Sequence, residues 1–388
     1  MNQAAGGRSA PVASGEHPSV PSALRERVAE AVRASGGWLP FDRFMAQALY
    51  EPGLGYYAGA VPKFGHMPAG PAGPGSSDFV TAPELTPLFG QTLATQVAQA
   101  LQQTGVDEMW EFGAGSGCLA QQVIEALDAS GVAWRRYTIV DLSGSLRERQ
   151  QARLAAHADR VAWVDRLPKR LSGVLLGNEV LDAMPVQLLA RRAGQWHERG
   201  VALAADGCLA WADRRTELRP PLEIDGTHDY ITEIHPQAEA FVRTLADRWE
   251  RGAAFFIDYG FPAAEYYHPQ RHMGTLTCHR AHRRDDDPLS DLGLKDITAH
   301  VNFTGIALAA QNAGLQVLGY TSQGRFLLNC GLLQQAARAG IRENALMQKL
   351  VNEHEMGELF KVLALAPPAS AHGWEPLGFG VGDRCHRL

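Results

Sequence analysis

The chain has 388 residues, 45% hydrophobic and 20% charged, with a formal net charge of −6. That is the make-up of an ordinary globular protein, long enough for one elaborated domain or two. The acidic balance, with no basic cluster larger than pairs such as Arg191-Arg192 or Arg283-Arg284, leaves no electrostatic footprint for nucleic acid. Five cysteines (Cys118, Cys208, Cys278, Cys330 and Cys385) without C-x-x-C spacing predict neither a disulfide framework nor a zinc site, and point to a reducing cytoplasm. No apolar run has the length of a membrane span, and the N-terminus lacks the basic-then-apolar plan of a signal peptide.

Residues 1–20, rich in Ala, Gly, Ser and Pro, read as a disordered tail. Leu24, Val28 and Val32 have helical spacing over Ser22 to Ala34, with Ser22 as the cap; Phe41, Phe44, Met45 and Leu49 suggest a second helix begun at Asp42. Glu51 to Tyr57 must turn. The Gly- and Pro-crowded Val61 to Ser77 is expected as a lid or as a disordered insertion. In Ser77-Asp78-Phe79-Val80-Thr81-Ala82-Pro83-Glu84 the apolar core is too short for a helix, and Pro83 bars one just before it. Asp78, Thr81 and Glu84 are placed there over a bound ligand, with capping of the next helix the competing role for Glu84. An amphipathic helix over Pro87 to Gln102 closes this N-terminal helical and lid region, 21–105.

A strand at Met109 to Phe112 leads into Glu111-Phe112-Gly113-Ala114-Gly115-Ser116-Gly117, followed by a helical pattern from Leu119 to Leu127. Such glycines let the backbone turn tightly and approach a ligand with no Cβ in the way. The third glycine comes one residue too early for a dinucleotide fingerprint, Cys118 standing in its place, and no Gly-Lys-Ser/Thr of a P-loop follows. What remains is the E-x-G-x-G-x-G pattern of a loop that binds S-adenosylmethionine (SAM), a cofactor without phosphates. Glu111, Gly113, Ala114 and Gly115 are its candidate ligands. Arg136 to Asp141 is a β-prone run ending in a carboxylate at the distance where an acidic side chain meets ribose hydroxyls; Asp141 is assigned that role, against the alternative that it only starts the turn before the helix Leu146 to Leu154.

Further strands at Val161 to Val164, Val174 to Leu176 and Ala253 to Ile257 alternate with helices, which predicts an α/β, Rossmann-like, mostly parallel sheet with ligands at the carboxyl ends of its strands. The core is assigned to 106–186 and 253–388. Between its parts, Leu188 to Arg192, Gln195 to Val201 and Cys208 to Ala212 read as antiparallel strands of an inserted β-rich element, 187–252. Gly260 to Phe303 departs from the rhythm again; Cys278, His279, His282, Asp285, Asp286 and Asp287 match no zinc spacing and are read as a solvated polar loop. Leu315 to Tyr320 and Arg325 to Cys330 are expected to close the sheet as an antiparallel pair turning at Gln323-Gly324. There is no internal repeat.

Asn178 and Glu179 follow the apolar run Val174-Leu175-Leu176 and fall at the end of a central strand, where an acceptor would be held. Methyl transfer from a sulfonium is an in-line displacement, so the enzyme chiefly orients the acceptor and helps remove its proton. Glu179, Asn178 and Asp182 are the candidate catalytic residues. Were the acceptor an arginine, Glu179 and Asp182 could take bidentate hydrogen bonds and leave one nitrogen facing the methyl group; Asp182 bracing the turn and Asn178 satisfying backbone groups are the plainer roles. Asp258 and Tyr259 end another strand facing the site, with Tyr259 as a core aromatic the alternative. Asn178 is also a candidate cofactor contact.

Phe41 to Tyr57, Asp78 to Gly90, Glu111 to Gly117, Asn178 to Val186 (NEVLDAMPV), Ile257 to Gly260 (IDYG), Asp296 to Phe303 (DITAHVNF) and Met356 to Phe360 (MGELF) together resemble, in content and order, the MidA-like family of SAM-dependent methyltransferases. The resemblance implies a methyltransferase fold with added helices and an inserted substrate region. It further implies protein arginine methylation, yielding symmetric dimethylarginine on a respiratory complex I subunit in the mitochondrial members, which act as complex I assembly factors. Two departures stand out: Ser77 where the family commonly has Gly, which bears on lid closure, and Asp141 where it commonly has Glu. With no mitochondrial presequence visible, a cytoplasmic, bacterial-type member with a protein substrate is expected; a homodimer is left open. Methylation of a small molecule or another protein side chain, and a SAM-binding assembly protein with little catalysis, are the alternatives. For Met356 to Lys361 the expectation is helix packing alone.

Overall fold

The computed structural model describes residues 20–59, 81–141, 143–280 and 283–388. Residues 1–19 of the expected N-terminal tail, the lid at 61–77, Asp78 and His282 lie outside the described residues, and Val20, the last residue assigned to the tail, begins a helix.

The main sheet contains β1 (Glu108–Phe112), β2 (Arg136–Val140), β3 (Val161–Val164), β4 (Val174–Asn178), β5 (Ala254–Phe261), β6 (Gln316–Ser322) and β7 (Phe360–Ala366), in the order β6-β7-β5-β4-β1-β2-β3. Strands β1 to β5 are parallel to one another, and β7 runs antiparallel to both β5 and β6. Both faces are covered, which is why the central strands are apolar runs without alternation. The pleat sends consecutive side chains to different cores: Leu176, Phe255, Ile257 and Val362 pack with Leu93, Val97, Leu119 and Val123 of the helices Leu88–Thr104 and Cys118–Ala129. Leu175, Phe256 and Leu363 pack on the other face with Val242 and Ile306 of the helices Pro236–Ala246 and Phe303–Asn312.

A second sheet is wholly antiparallel: Gln195–Leu203 lies between Gln187–Arg192 and Leu209–Arg215, with Tyr230–Ile234 and the short Leu39–Pro40 at its margins. The helices Val20–Ala34 and Phe41–Tyr50 bury Leu24, Val28, Phe44, Met45 and Leu49 in a third core with Leu188 and Val201. Ser22 therefore lies inside the first helix rather than capping it.

Three further expectations are corrected. Arg325 to Cys330 is not a strand: Gln323–Asn329 is a helix, and the antiparallel partner of β6 is β7. Its buried residues are Gln323, Gly324, Phe326 and Leu327, with Cys330 buried just past its end, a helical spacing hidden inside a short apolar run. The segment with Pro83 does contain a short helix, Ala82–Leu85, with the proline in its first turn, where a missing N–H costs nothing. The polar stretch from Cys278 holds paired strands, Thr277–Arg280 with Arg283–Asp285 and with Asp296–Thr298, and Cys278 is fully buried beneath them.

Candidate cofactor and acceptor site

The carboxyl ends of β1 to β5 open on a cavity of about 1390 Å³, walled on the far side by Tyr50, Tyr57, the small sheet around Thr277 and Asp296, and Met356 to Phe360. Two ends of it differ in chemistry.

At the first end lies the glycine loop. Gly113, Gly115 and Gly117 have φ of 62°, 53° and 80°, and a Cβ at Gly113 would approach Val180 Cγ2 to 3.1 Å, so this turn needs glycine for both conformation and space. Glu111 is buried beneath the loop, where it accepts a hydrogen bond from the Tyr137 hydroxyl at 2.8 Å; burial pushes its pKa up to about 8. Asp141 accepts from the Ser143 N–H at 2.9 Å and from Gln150 Nε2 at 2.8 Å. It thus makes the turn and faces the cavity at once, while Ser143 is the residue that caps the helix Gly144–Arg153. Gln150, which nothing in the local sequence marks, also donates to the Gly115 carbonyl at 3.0 Å and accepts from Trp163 Nε1 at 3.0 Å, tying the loop to the acidic residue and to β3. Glu84 reaches the loop from above: Ser116 Oγ donates to its Oε1, and its Oε2 is buried without a partner. The Pro83 carbonyl accepts from Gln122 Nε2 at 2.7 Å, which fixes the short helix over the loop. Thr81 and Ala114 line the same end, as does Asp165 after β3, a residue the sequence reading overlooked.

These groups fit SAM. An unpartnered carboxylate oxygen suits its ammonium, carboxylates at Asp141 and Asp165 suit hydroxyl and amino donors, and the glycines admit it closely. Phosphate would meet the carboxylates of Glu84 and Asp141, both of the wrong sign.

The second end is built where β4 and β5 stop. Glu179 adopts φ 53°, unusual for a side chain with a Cβ, and its N–H donates to the Ile257 carbonyl at 2.9 Å. Asp258 does not face the site as expected. Its Oδ2 accepts from the N–H groups of Val180, Leu181 and Asp182 at 3.1, 2.9 and 3.2 Å, so it holds the turn that carries Glu179 and Asp182. Asn178 Nδ2 donates to Glu179 Oε1 at 3.1 Å, leaving Asn178 Oδ1 buried without a partner. The Tyr259 hydroxyl donates to Asp182 Oδ2; Asp182 Oδ1 is likewise unpartnered. Glu179 opens on the cavity, yet the protein around it displaces enough water that burial, reinforced by the Asp182 charge, pushes its pKa up to about 8. Burial raises Asp182 to about 6, against the hydrogen bond from Tyr259. Tyr50 and Tyr57 stack with ring centroids 5.6 Å apart, the Tyr50 hydroxyl donating to the Ala183 carbonyl at 2.9 Å and the Tyr57 hydroxyl to Asp296 Oδ2 at 2.8 Å. Tyr259 packs edge-on to His300 and Phe360. Met356, Leu359 and Phe360 form part of the wall, so this motif shapes the cavity rather than only packing.

Seven strands in this order with the seventh reversed, and a phosphate-excluding glycine loop above them, define a SAM-dependent methyltransferase. Residues 92–321 match the Methyltransf_28 family, described as S-adenosyl-L-methionine-dependent methyltransferase. The chain belongs to that family, with the MidA-like character its motifs suggest. It is similar to a COG1565 superfamily protein from Burkholderia thailandensis whose crystal structure is bound to S-adenosyl-homocysteine, with 47% identity, a TM-score of 0.89, and coverage of 98% of this chain and 100% of the other. It is 25% identical to the protein arginine methyltransferase NDUFAF7 homolog, mitochondrial, of Caenorhabditis elegans, over 90% of this chain and 88% of the relative. To the human protein arginine methyltransferase NDUFAF7, mitochondrial, it is 26% identical, over 87% and 82%.

Proposed function

We propose that this methyltransferase acts on an arginine side chain of a protein. The observation that carries the reading is the acceptor end of the cavity, where Glu179 and Asp182 lie beside unpartnered buried oxygens of Asn178 and Asp182 and among three tyrosines. A buried group that can only accept calls for donors. A guanidinium supplies five N–H donors in a flat fork, which suits acceptors spread around a pocket better than the compact ammonium of lysine. The two NDUFAF7 relatives named above carry the same activity in their names.

When bound, SAM supplies an electrophilic methyl group on a sulfonium. Gly113, Ala114 and Gly115 would let it lie close, Asp141 would accept from its ribose, and Thr81 and Glu84 would cover it. Glu179 and Asp182 accept hydrogen bonds from the guanidinium and leave one nitrogen toward the methyl group. The proton lost from that nitrogen passes to one of the two carboxylates, whose pKa values of about 8 and 6 bracket neutrality. Asn178 and Tyr259 orient Glu179 and Asp182. A respiratory complex I subunit is the acceptor to try first, with symmetric dimethylarginine as the product and the bacterial cytoplasm as the location.

The test is mass spectrometry of candidate protein acceptors incubated with the enzyme and labelled SAM. Label on arginine, lost when that arginine is replaced by lysine, is the expected result. Label on lysine, or only on small molecules, would overturn the reading.

A further inference from the structure

The strand Asp296–Thr298 and the residues after it alternate strictly. Asp296, Thr298 and His300 line the cavity, whereas Ile297, Ala299 and Val301 are buried among apolar side chains. The neighbouring strand obeys the same period: Thr277 lies opposite Thr298, His279 lies opposite Asp296, and both line the cavity while Cys278 between them is buried. One face of this small sheet is therefore polar and turned to the site, as the two-residue period of a strand requires. Its polar groups are not all spoken for. Thr277 is only 5% exposed and its Oγ1 has no hydrogen-bond partner; His300 Nδ1 is also buried without one. Asp296 is 1% exposed and is held from two sides, its Oδ2 accepting from the Tyr57 hydroxyl at 2.8 Å and its Oδ1 from the Ile297 N–H at 2.9 Å. The sheet is also tied to the acceptor turn, since the Ala299 N–H donates to the Asp182 carbonyl at 3.0 Å. Asp296 is close enough to Glu179 for its charge to add to the upward shift of the Glu179 pKa, behind burial and Asp182.

We propose that this strand face is an acceptor-recognition wall, and that Asp296, oriented by Tyr57, is a specificity-determining residue that selects a cationic, multi-donor acceptor over a neutral one of the same shape. The assignment rests on the arginine reading above. Glu179 and Asp182 occupy one turn and reach one side of a planar guanidinium; its remaining donors need acceptors from another element. Asp296 and Thr277 are the groups the fold places there. A carboxylate fixed by a tyrosine hydroxyl is preorganised, so less ordering entropy is lost when the acceptor binds. It also discriminates by charge, because a carbonyl oxygen in place of a guanidinium nitrogen would meet it with a repelling acceptor.

The experiment uses the full chain saturated with S-adenosylhomocysteine, titrated by NMR with Nα-acetyl-arginine amide and, separately, with the isosteric Nα-acetyl-citrulline amide. The wild type is expected to prefer arginine. D296N should keep wild-type affinity for S-adenosylhomocysteine but lose about tenfold or more of that preference, and D296E should restore part of it. Y57F, which leaves the carboxylate in place but takes away the hydroxyl that orients its Oδ2, should lose about threefold, and it decides the matter if D296N does not fold. A folded D296N or Y57F with the full wild-type preference would overturn the role of this wall and leave the arginine reading standing. A wild type that does not distinguish the two probes would remove both.

Discussion

Glu179 occupies a left-handed backbone position that a residue with a Cβ holds only when its surroundings impose it, here through the Asp258 carboxylate behind the turn and the N–H bond to Ile257. We expect E179Q to lower kcat about 100-fold or more while leaving S-adenosylhomocysteine affinity within about twofold, read by methyl transfer and calorimetry. Its pKa of about 8 adds a pH signature. Below that value Glu179 keeps its proton and offers less to a cation, so acceptor KM should fall as pH rises from 6 toward 8, and E179Q should flatten the trend. After burial, the charges of Asp182 and Asp296 keep it protonated longer, against the hydrogen bond from Asn178. Glu111 has the opposite kind of consequence, for stability. Its folded pKa of about 8 lies above the ordinary 4.5, so between those values the folded chain retains a proton that the unfolded chain has released. Stability should therefore fall as pH rises through that window, and urea denaturation of cofactor-free E111Q at pH 5 and pH 8 should show a shallower fall than wild type. Glu111 and Asp141 were legible as acidic residues at strand ends. Asp258 was misread in direction, because a sequence places a residue at the end of a strand without saying which side of the following turn needs its oxygens.

Among the elements, the glycine loop was the most legible, since three glycines after an apolar strand and before a helix answer a local backbone requirement. Gly113→Ala should cost about 1–2 kcal/mol of stability, given its positive φ and the approach to Val180, and should weaken S-adenosylhomocysteine binding; thermal melting and calorimetry report the two effects separately. The role of Gln150 was not legible. It lies midway along a polar helix, and only the packing of that helix beside β3 brings its amide to Gly115, Asp141 and Trp163 at once. Q150A should loosen cofactor binding about tenfold with little change in acceptor KM, because it frees the loop and the Asp141 carboxylate without touching the acceptor end. The helix Gln323–Asn329 was mistaken for a strand because its run is short and apolar. Its true pairing partner for β6 lies some forty residues farther on, in β7, beyond the reach of any local pattern.

At the scale of the whole molecule, three apolar cores meet at one cavity, so a ligand there touches the parallel sheet, the N-terminal helices and the small sheet together. S-adenosylhomocysteine at a hundredfold excess over its Kd should then stabilise the fold by about 2.7 kcal/mol and raise a single calorimetric transition; a transition that splits, with only one part shifted, would show the regions to be independent. Tyr50 meets Ala183 and Tyr57 meets Asp296 across separations of 133 and 239 residues. By itself the sequence determined the class of fold, the position of the glycine loop and the acidic residues at the ends of β1, β2 and β4, because alternating apolar strands, turn glycines and strand-end carboxylates act over a few neighbouring residues. Only the tertiary structure decided the acceptor end, because its wall is assembled from residues 50–57, 178–182, 259, 277–300 and 356–360, and the hydrogen bonds that aim those side chains form only when distant segments pack.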